Sequence, residues 1–141
     1  MDGMRTKLST LWIFATVNYL YCDLVGVMDP GQLKQFLAGS INGIEVNQAF
    51  LLAASALVEI PMVMIVVSRL VNPGINRWTN VAAGGIMTVV QVATLFLGAP
   101  TLYYVFFSAI EIATTGSIVW LSWRWPVAEP AGRTVSARGE A

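Results

Sequence analysis

The chain has 141 residues, 56% of them hydrophobic and 11% charged, with zero net charge and a mean hydropathy of +0.67. Soluble domains of this size carry roughly a quarter of their residues as charges, so the balance points to an integral membrane protein in contact with a lipid bilayer, and the lack of any basic run argues against a nucleic-acid partner. No histidine is present and Cys22 is the only cysteine, which excludes His-ligated haem, a histidine general base, an intramolecular disulfide and CxxC metal or redox motifs.

Four apolar segments follow one another, at about 8–28, 46–71, 79–98 and 101–123. Each is near the roughly 20 residues that a helix needs to cross a 30 Å hydrocarbon core. The first follows Arg5 and Lys7 but is longer than a signal-peptide core, contains Asn18 and Asp23, and lacks a small-residue cleavage site. It reads as a retained helix, in which Cys22 acts as a small hydrophobe. The longest connection comes next. Asp29 is placed to cap a short helix that starts at Pro30 and ends at Gly39, with Leu33, Phe36 and Leu37 sharing a face suited to the membrane surface. An ordered loop over the mouth of the bundle is the alternative. In the second segment Pro61 supplies no N–H to the Leu57 carbonyl, so a freed carbonyl is expected within one turn of Glu59. Asn72-Pro73-Gly74 leads towards the third segment, and Gly98-Ala99-Pro100 forms the turn into the fourth. Residues 126–141 are polar, without apolar periodicity, and are expected to be disordered. The expected architecture is all-α: one domain over residues 1–125, a polytopic four-transmembrane-helix bundle with a short interfacial helix or loop after the first helix.

With four spans, Arg5, Lys7, Arg69, Arg77, Arg124, Arg133 and Arg138 fall on one side and only Lys34 on the other. Lysine and arginine accumulate on the cytoplasmic side, so both termini of a multi-pass plasma-membrane protein are expected there. Trp12, Trp78, Trp123 and Trp125 stand near the same boundary, as an aromatic belt would.

Each segment carries one strongly polar residue near its middle: Asn18, Glu59, Gln91 and Glu111. All four lie about 15–18 Å from the cytoplasmic boundary at 1.5 Å per residue. Lipid cannot satisfy such groups, so they are expected to face one another inside the bundle as a ligand or proton site. Tyr104, Ser108, Glu111, Thr114 or Thr115, and Ser122 form a polar stripe on the fourth helix. Gly84, Thr88, Gln91 and Thr94 do so on the third, and Ser55, Ala56, Glu59 and Met62 share a face of the second. Glu59, beside Pro61, is the expected centre. Asp23 and Tyr19 form a separate stripe, roughly 140° around the first helix from Asn18.

Leu11-Trp12-Ile13-Phe14, Glu59-Ile60-Pro61-Met62, Ser68-Arg69, Asn76-Arg77-Trp78 with Asn80, and Tyr104-Val105-Phe106-Phe107 leading to Glu111 together carry a resemblance. Over nearly the whole chain except the tail, the sequence resembles a family of small four-helix bacterial membrane proteins of unassigned function. The resemblance implies a four-helix membrane fold and implicates Glu59, Arg69, Arg77 and Glu111, without an activity. Arg69 and Arg77 read either as interfacial anchors or as a gate that pairs with a carboxylate.

Three functions compete. The first is binding or transport of protons, a small cation or a polar small molecule at the midplane carboxylates, which favours a homo-oligomer because four helices enclose little space. The second is a non-catalytic membrane accessory protein whose polar layer is structural. An enzyme is disfavoured, because no cofactor motif, reactive cysteine or metal-ligand spacing is present.

Overall fold

Four long helices and one short one make up most of residues 2–126, the part of the chain that the computed structural model describes. In chain order these are α1 (Asp2–Met28), α2 (Pro30–Leu37), α3 (Gln48–Leu70), α4 (Pro73–Leu95) and α5 (Leu102–Trp123). Between α2 and α3, β1 (Ser40–Ile41) and β2 (Ile44–Glu45) pair antiparallel. The expected tail lies, apart from residue 126, outside the described residues.

Local chemistry accounts for most of these limits. Asp29 caps α2, its side chain accepting from the Gly31 N–H at 2.8 Å with Pro30 next in line, and Gly39 lies just beyond the helix at φ 73°. Leu33, Phe36 and Leu37 are all exposed, as a helix at a membrane surface requires. The hairpin was not expected, although Asn42-Gly43 announces it. Both residues take positive φ, 48° and 81°, as a two-residue hairpin turn between twisted strands demands. Helix α4 starts at Pro73, six residues before the apolar segment, because Asn76 and Asn80 are satisfied inside the protein rather than by solvent.

Helix α1 is central, packed against α3 on one side and α5 on the other. Helix α4 lies against α5 and meets α3 near the short turn that joins them. The tightest approach is at Gly84 of α4, where a Cβ would stand 2.9 Å from Val119 Cγ2 and 3.3 Å from the Thr115 carbonyl oxygen. Leu8, Trp12, Ala15, Met64, Ala83, Met87, Ile118 and Trp125 form the apolar core. The core lies towards the end that carries Arg5, Arg69, Arg77 and Arg124, here the basic end; the opposite one is the hairpin end. Trp12 and Trp125 are therefore core residues rather than members of a belt, whereas Trp78 and Trp123 face outward, edge to face at 6.0 Å.

Helices α1, α3 and α5 are long and apolar enough to cross a membrane. Helix α4 matches α3 in length, but its asparagines, threonines and Gln91 keep its composition below that of a plain span.

Candidate functional site

Helices α1 and α5 meet through a polar pair. Asn18 Nδ2 donates to Glu111 Oε1 at 3.0 Å and to the Phe107 carbonyl at 3.3 Å. Both side chains are buried, Glu111 with 1% of its surface exposed. Among the described residues, no other hydrogen bond reaches the Glu111 carboxyl. One turn towards the hairpin end, Gln91 Nε2 donates to Ser108 Oγ at 2.7 Å, and one turn further Tyr104 donates to Thr94 Oγ1 at 2.7 Å. On the other side of Glu111, Thr115 Oγ1 accepts from Thr88 at 2.8 Å and donates to the Glu111 carbonyl. Tyr104, Ser108, Glu111 and Thr115 thus run along one inward stripe of α5.

The four midplane candidates do not form one layer. Glu111 is nine residues into α5 and Asn18 ten residues from the end of α1, but Gln91 is only four from the end of α4. Gln91 therefore sits one turn nearer the hairpin end than the Asn18–Glu111 pair. Glu59 departs further: it is at the midpoint of α3 yet exposed on its outer face. The reason is angular. Two residues turn a helix by about 200°, so the buried Pro61 and Glu59 point in opposite directions. The Leu57 carbonyl freed by Pro61 lies on the proline's inner side, so carboxylate and carbonyl do not share a space. The inward face of α3 is Pro61, Met64 and Ser68, and Ser55, Ala56 and Met62 lie outside with Glu59.

Sequence reasoning did not foresee the cavity at the hairpin end, about 440 Å³, enclosed by α1, α2, the hairpin and the α4–α5 turn. Asp23 lines it, together with Phe36, Asn42, Thr101, Tyr103 and Tyr104, and no lysine or arginine does. Thr101 Oγ1 and Tyr103 OH are buried without a hydrogen-bond partner, the latter against Gly26, whose added Cβ would stand 3.7 Å away. Tyr19, one turn from Asp23 on α1, has a third unpartnered buried hydroxyl. The signals available beforehand were Asp23, the Asn42-Gly43 turn and the aromatic pair Tyr103-Tyr104; what joins them is tertiary.

The basic end holds a second polar cluster, in which Trp12, Ser68, Asn76 and Asn80 are mutually bonded while Arg5 Nε, Arg77 Nε and Ser122 Oγ nearby are buried without a partner. Trp12 Nε1 donates to Asn80 Oδ1 at 2.7 Å, which also accepts from Ser68 Oγ at 3.2 Å. Asn80 Nδ2 donates to Asn76 Oδ1 at 2.6 Å, and Asn76 Nδ2 to the Ser68 carbonyl at 2.7 Å. Arg69 donates to Ser9 Oγ at 3.1 Å, and Arg77 donates to the Trp123 carbonyl at 2.9 Å with its guanidinium beside the Trp78 ring. Both arginines tie helices together at this end, and neither hydrogen-bonds a carboxylate among the described residues.

Among the described residues no three His, Cys, Asp or Glu side chains are grouped to hold a metal ion. No curated protein and no solved structure matches the chain significantly. A family model does match, over residues 1–131, and on that match the chain belongs to the family of unknown function DUF6326.

Proposed function

We propose that all four long helices cross the plasma membrane with both termini in the cytoplasm, and that the hairpin-end cavity binds a small organic cation bearing an ammonium or quaternary ammonium group. The span assignment for α4 is supported by its two-sidedness. Its buried residues include Asn76, Asn80 and Gln91, while Ile75, Trp78, Ile86, Val89 and Val92 are exposed, so the surface offered to lipid is apolar. The orientation is supported by the bias of lysine and arginine towards the basic end.

The observation that carries the binding reading is the cavity wall, on which the Asp23 carboxylate stands with Asn42, Thr101, Tyr103 and Tyr104 and without any lysine or arginine. The size is within the range of small-molecule sites, and the aromatic rings of Phe36, Tyr103 and Tyr104 suit an organic cation. From Tyr104 the stripe through Ser108 runs about 10 Å inward to Glu111, a line of side-chain oxygens along which a proton would be relayed. Calorimetry on the purified protein with choline and ethanolamine as probes tests the reading. Saturable binding is expected, weakened about tenfold or more by Asp23→Asn, the scale of a lost charge-assisted contact. Binding of choline's neutral isostere 3,3-dimethyl-1-butanol with equal affinity, or no binding of either amine, would overturn it.

A further inference from the structure

Where the amino end of α4 meets the carboxyl end of α5, two arginines are held by aromatic rings. The Arg124 guanidinium carbon stands 3.9 Å from the centroid of the Trp120 ring, and that of Arg77 5.5 Å from the centroid of Trp78. Arg77 also donates to the Trp123 carbonyl at 2.9 Å, which brings it to the residue before Arg124. Trp123 meets Trp78 edge to face at 6.0 Å, so two guanidiniums and three exposed indoles form one surface across the helix pair. A guanidinium stacked on a ring face keeps its N–H groups in its own plane, where they match two oxygens of a phosphate. Among the described residues no hydrogen bond engages the Arg124 guanidinium, and Arg77 spends one N–H on Trp123.

Charge and depth identify the partner. Among the described residues Arg5, Lys7, Arg69, Arg77 and Arg124 share the basic end with a single carboxylate, Asp2. The 22 residues of α5 span about 33 Å, slightly more than the roughly 30 Å hydrocarbon core, so its last turn stands at headgroup level. We infer that Arg77 and Arg124 hold the phosphate of an anionic phospholipid against α4 and α5. An isolated interfacial arginine meets any lipid phosphate in passing, whereas two guanidiniums already fixed by their rings make a site that selects headgroup charge. The ammonium of a zwitterionic headgroup would bring a third cation to the site, and the exposed indoles suit the layer just below the phosphate. Arg5 and Arg69 are engaged differently: they donate to the Val71 carbonyl and to Ser9, between α1 and α3, and neither stacks on a tryptophan. The inference rests on the reading that α4 and α5 cross the bilayer and is independent of the cavity.

Native mass spectrometry of the full chain, released from micelles with equal amounts of phosphatidylglycerol and phosphatidylcholine of matched acyl chains, tests the site. Bound phosphatidylglycerol should exceed phosphatidylcholine by about tenfold or more, the scale of two arginine–headgroup contacts. Arg77→Gln/Arg124→Gln should bring the ratio near one. Trp120→Leu, at an exposed position, should lower it several-fold by releasing Arg124. Lys7→Gln/Arg69→Gln removes the same charge from the same end and should leave the ratio unchanged. A wild-type ratio near one, or equal loss in the two double variants, overturns the site. Full retention of the preference by Trp120→Leu refutes the stacked geometry. Displacement of the lipid by excess inorganic phosphate refutes a lipid as the occupant in favour of a soluble anion. An alkaline wash of the membranes separates the site from the spans: a chain that washes off refutes both, whereas one that stays and shows no preference refutes the lipid site alone.

Discussion

Asn80→Ala should be among the most destabilising single changes outside the apolar core, and the size follows from its bonds. Asn80 Oδ1 is the acceptor for the buried Trp12 indole N–H at 2.7 Å and for Ser68 Oγ at 3.2 Å, and its amide donates to Asn76. Truncation orphans the Trp12 donor, which is 0% exposed, at about 1–3 kcal/mol. Ser68 can turn to a backbone carbonyl of its own helix, so its loss is smaller. Inter-helix hydrogen bonds in membranes average only about 0.6 kcal/mol, which sets the lower end for each remaining contact. The total expected is about 2–4 kcal/mol, measured by unfolding in mixed micelles. A double-mutant cycle sharpens the test. Trp12→Phe removes the donor together with its need for an acceptor, so the pair Trp12→Phe/Asn80→Ala should be less destabilised than the sum of the singles by about 1 kcal/mol. Strict additivity, or an Asn80→Ala loss below about 0.5 kcal/mol, would refute the amide cluster as the lock of the basic end.

Gly84→Ala should cost about 1–3 kcal/mol, because the new methyl meets Val119 and the Thr115 carbonyl. Its neighbour Gly85→Ala, with open space around the added Cβ, should be neutral or stabilising by up to about 1 kcal/mol; the same unfolding assay separates the two. Gly43→Val forces a β-branched residue to φ 81° and should raise amide exchange at residues 40–45 while leaving α4 and α5 unchanged. If the route from Tyr104 to Glu111 conducts, proteoliposomes should take up protons under an imposed potential, and Glu111→Gln should abolish the uptake while the fold, seen by circular dichroism, persists. Uptake by the wild type no faster than in empty liposomes refutes conduction and confines function to binding.

The number and rough extent of the long helices were legible because apolar runs bounded by Asn72-Pro73 and Gly98-Ala99-Pro100 have few other readings. The inward stripe of α5 was legible for a related reason. Tyr104, Ser108, Glu111 and Thr115 stand three or four residues apart on a largely apolar helix, and that spacing picks one face. The same argument misplaced Glu59. On α3 the polar stripe competes with a second face, Pro61, Met64 and Ser68, and packing against α1 selects the latter. Periodicity identifies faces but does not rank them when both are largely apolar. The cavity was illegible for a different reason: α1, α2, the hairpin and the α4–α5 turn each supply part of its wall, and no single segment carries its signature.

The two ends of the molecule differ in architecture, an amide network joining three helices at one and a cavity beside a carboxylate at the other, and this bears on where function resides. At the basic end the side-chain amides of Asn76 and Asn80, the Trp12 indole and Ser68 form a closed set, with α1, α3 and α4 bound into it. Ligand binding gains nothing from breaking such a set, since every displaced bond must be replaced. At the hairpin end the Asp23 carboxyl lines a cavity without a lysine or arginine, and the covering elements are an eight-residue helix and a six-residue hairpin. Short elements with few buried side chains open at low cost. A ligand entering there would meet the Asp23 carboxyl without disturbing the locked end. The polar residues of this chain therefore separate into those that hold the helices, around Asn80, and those that await an occupant, around Asp23.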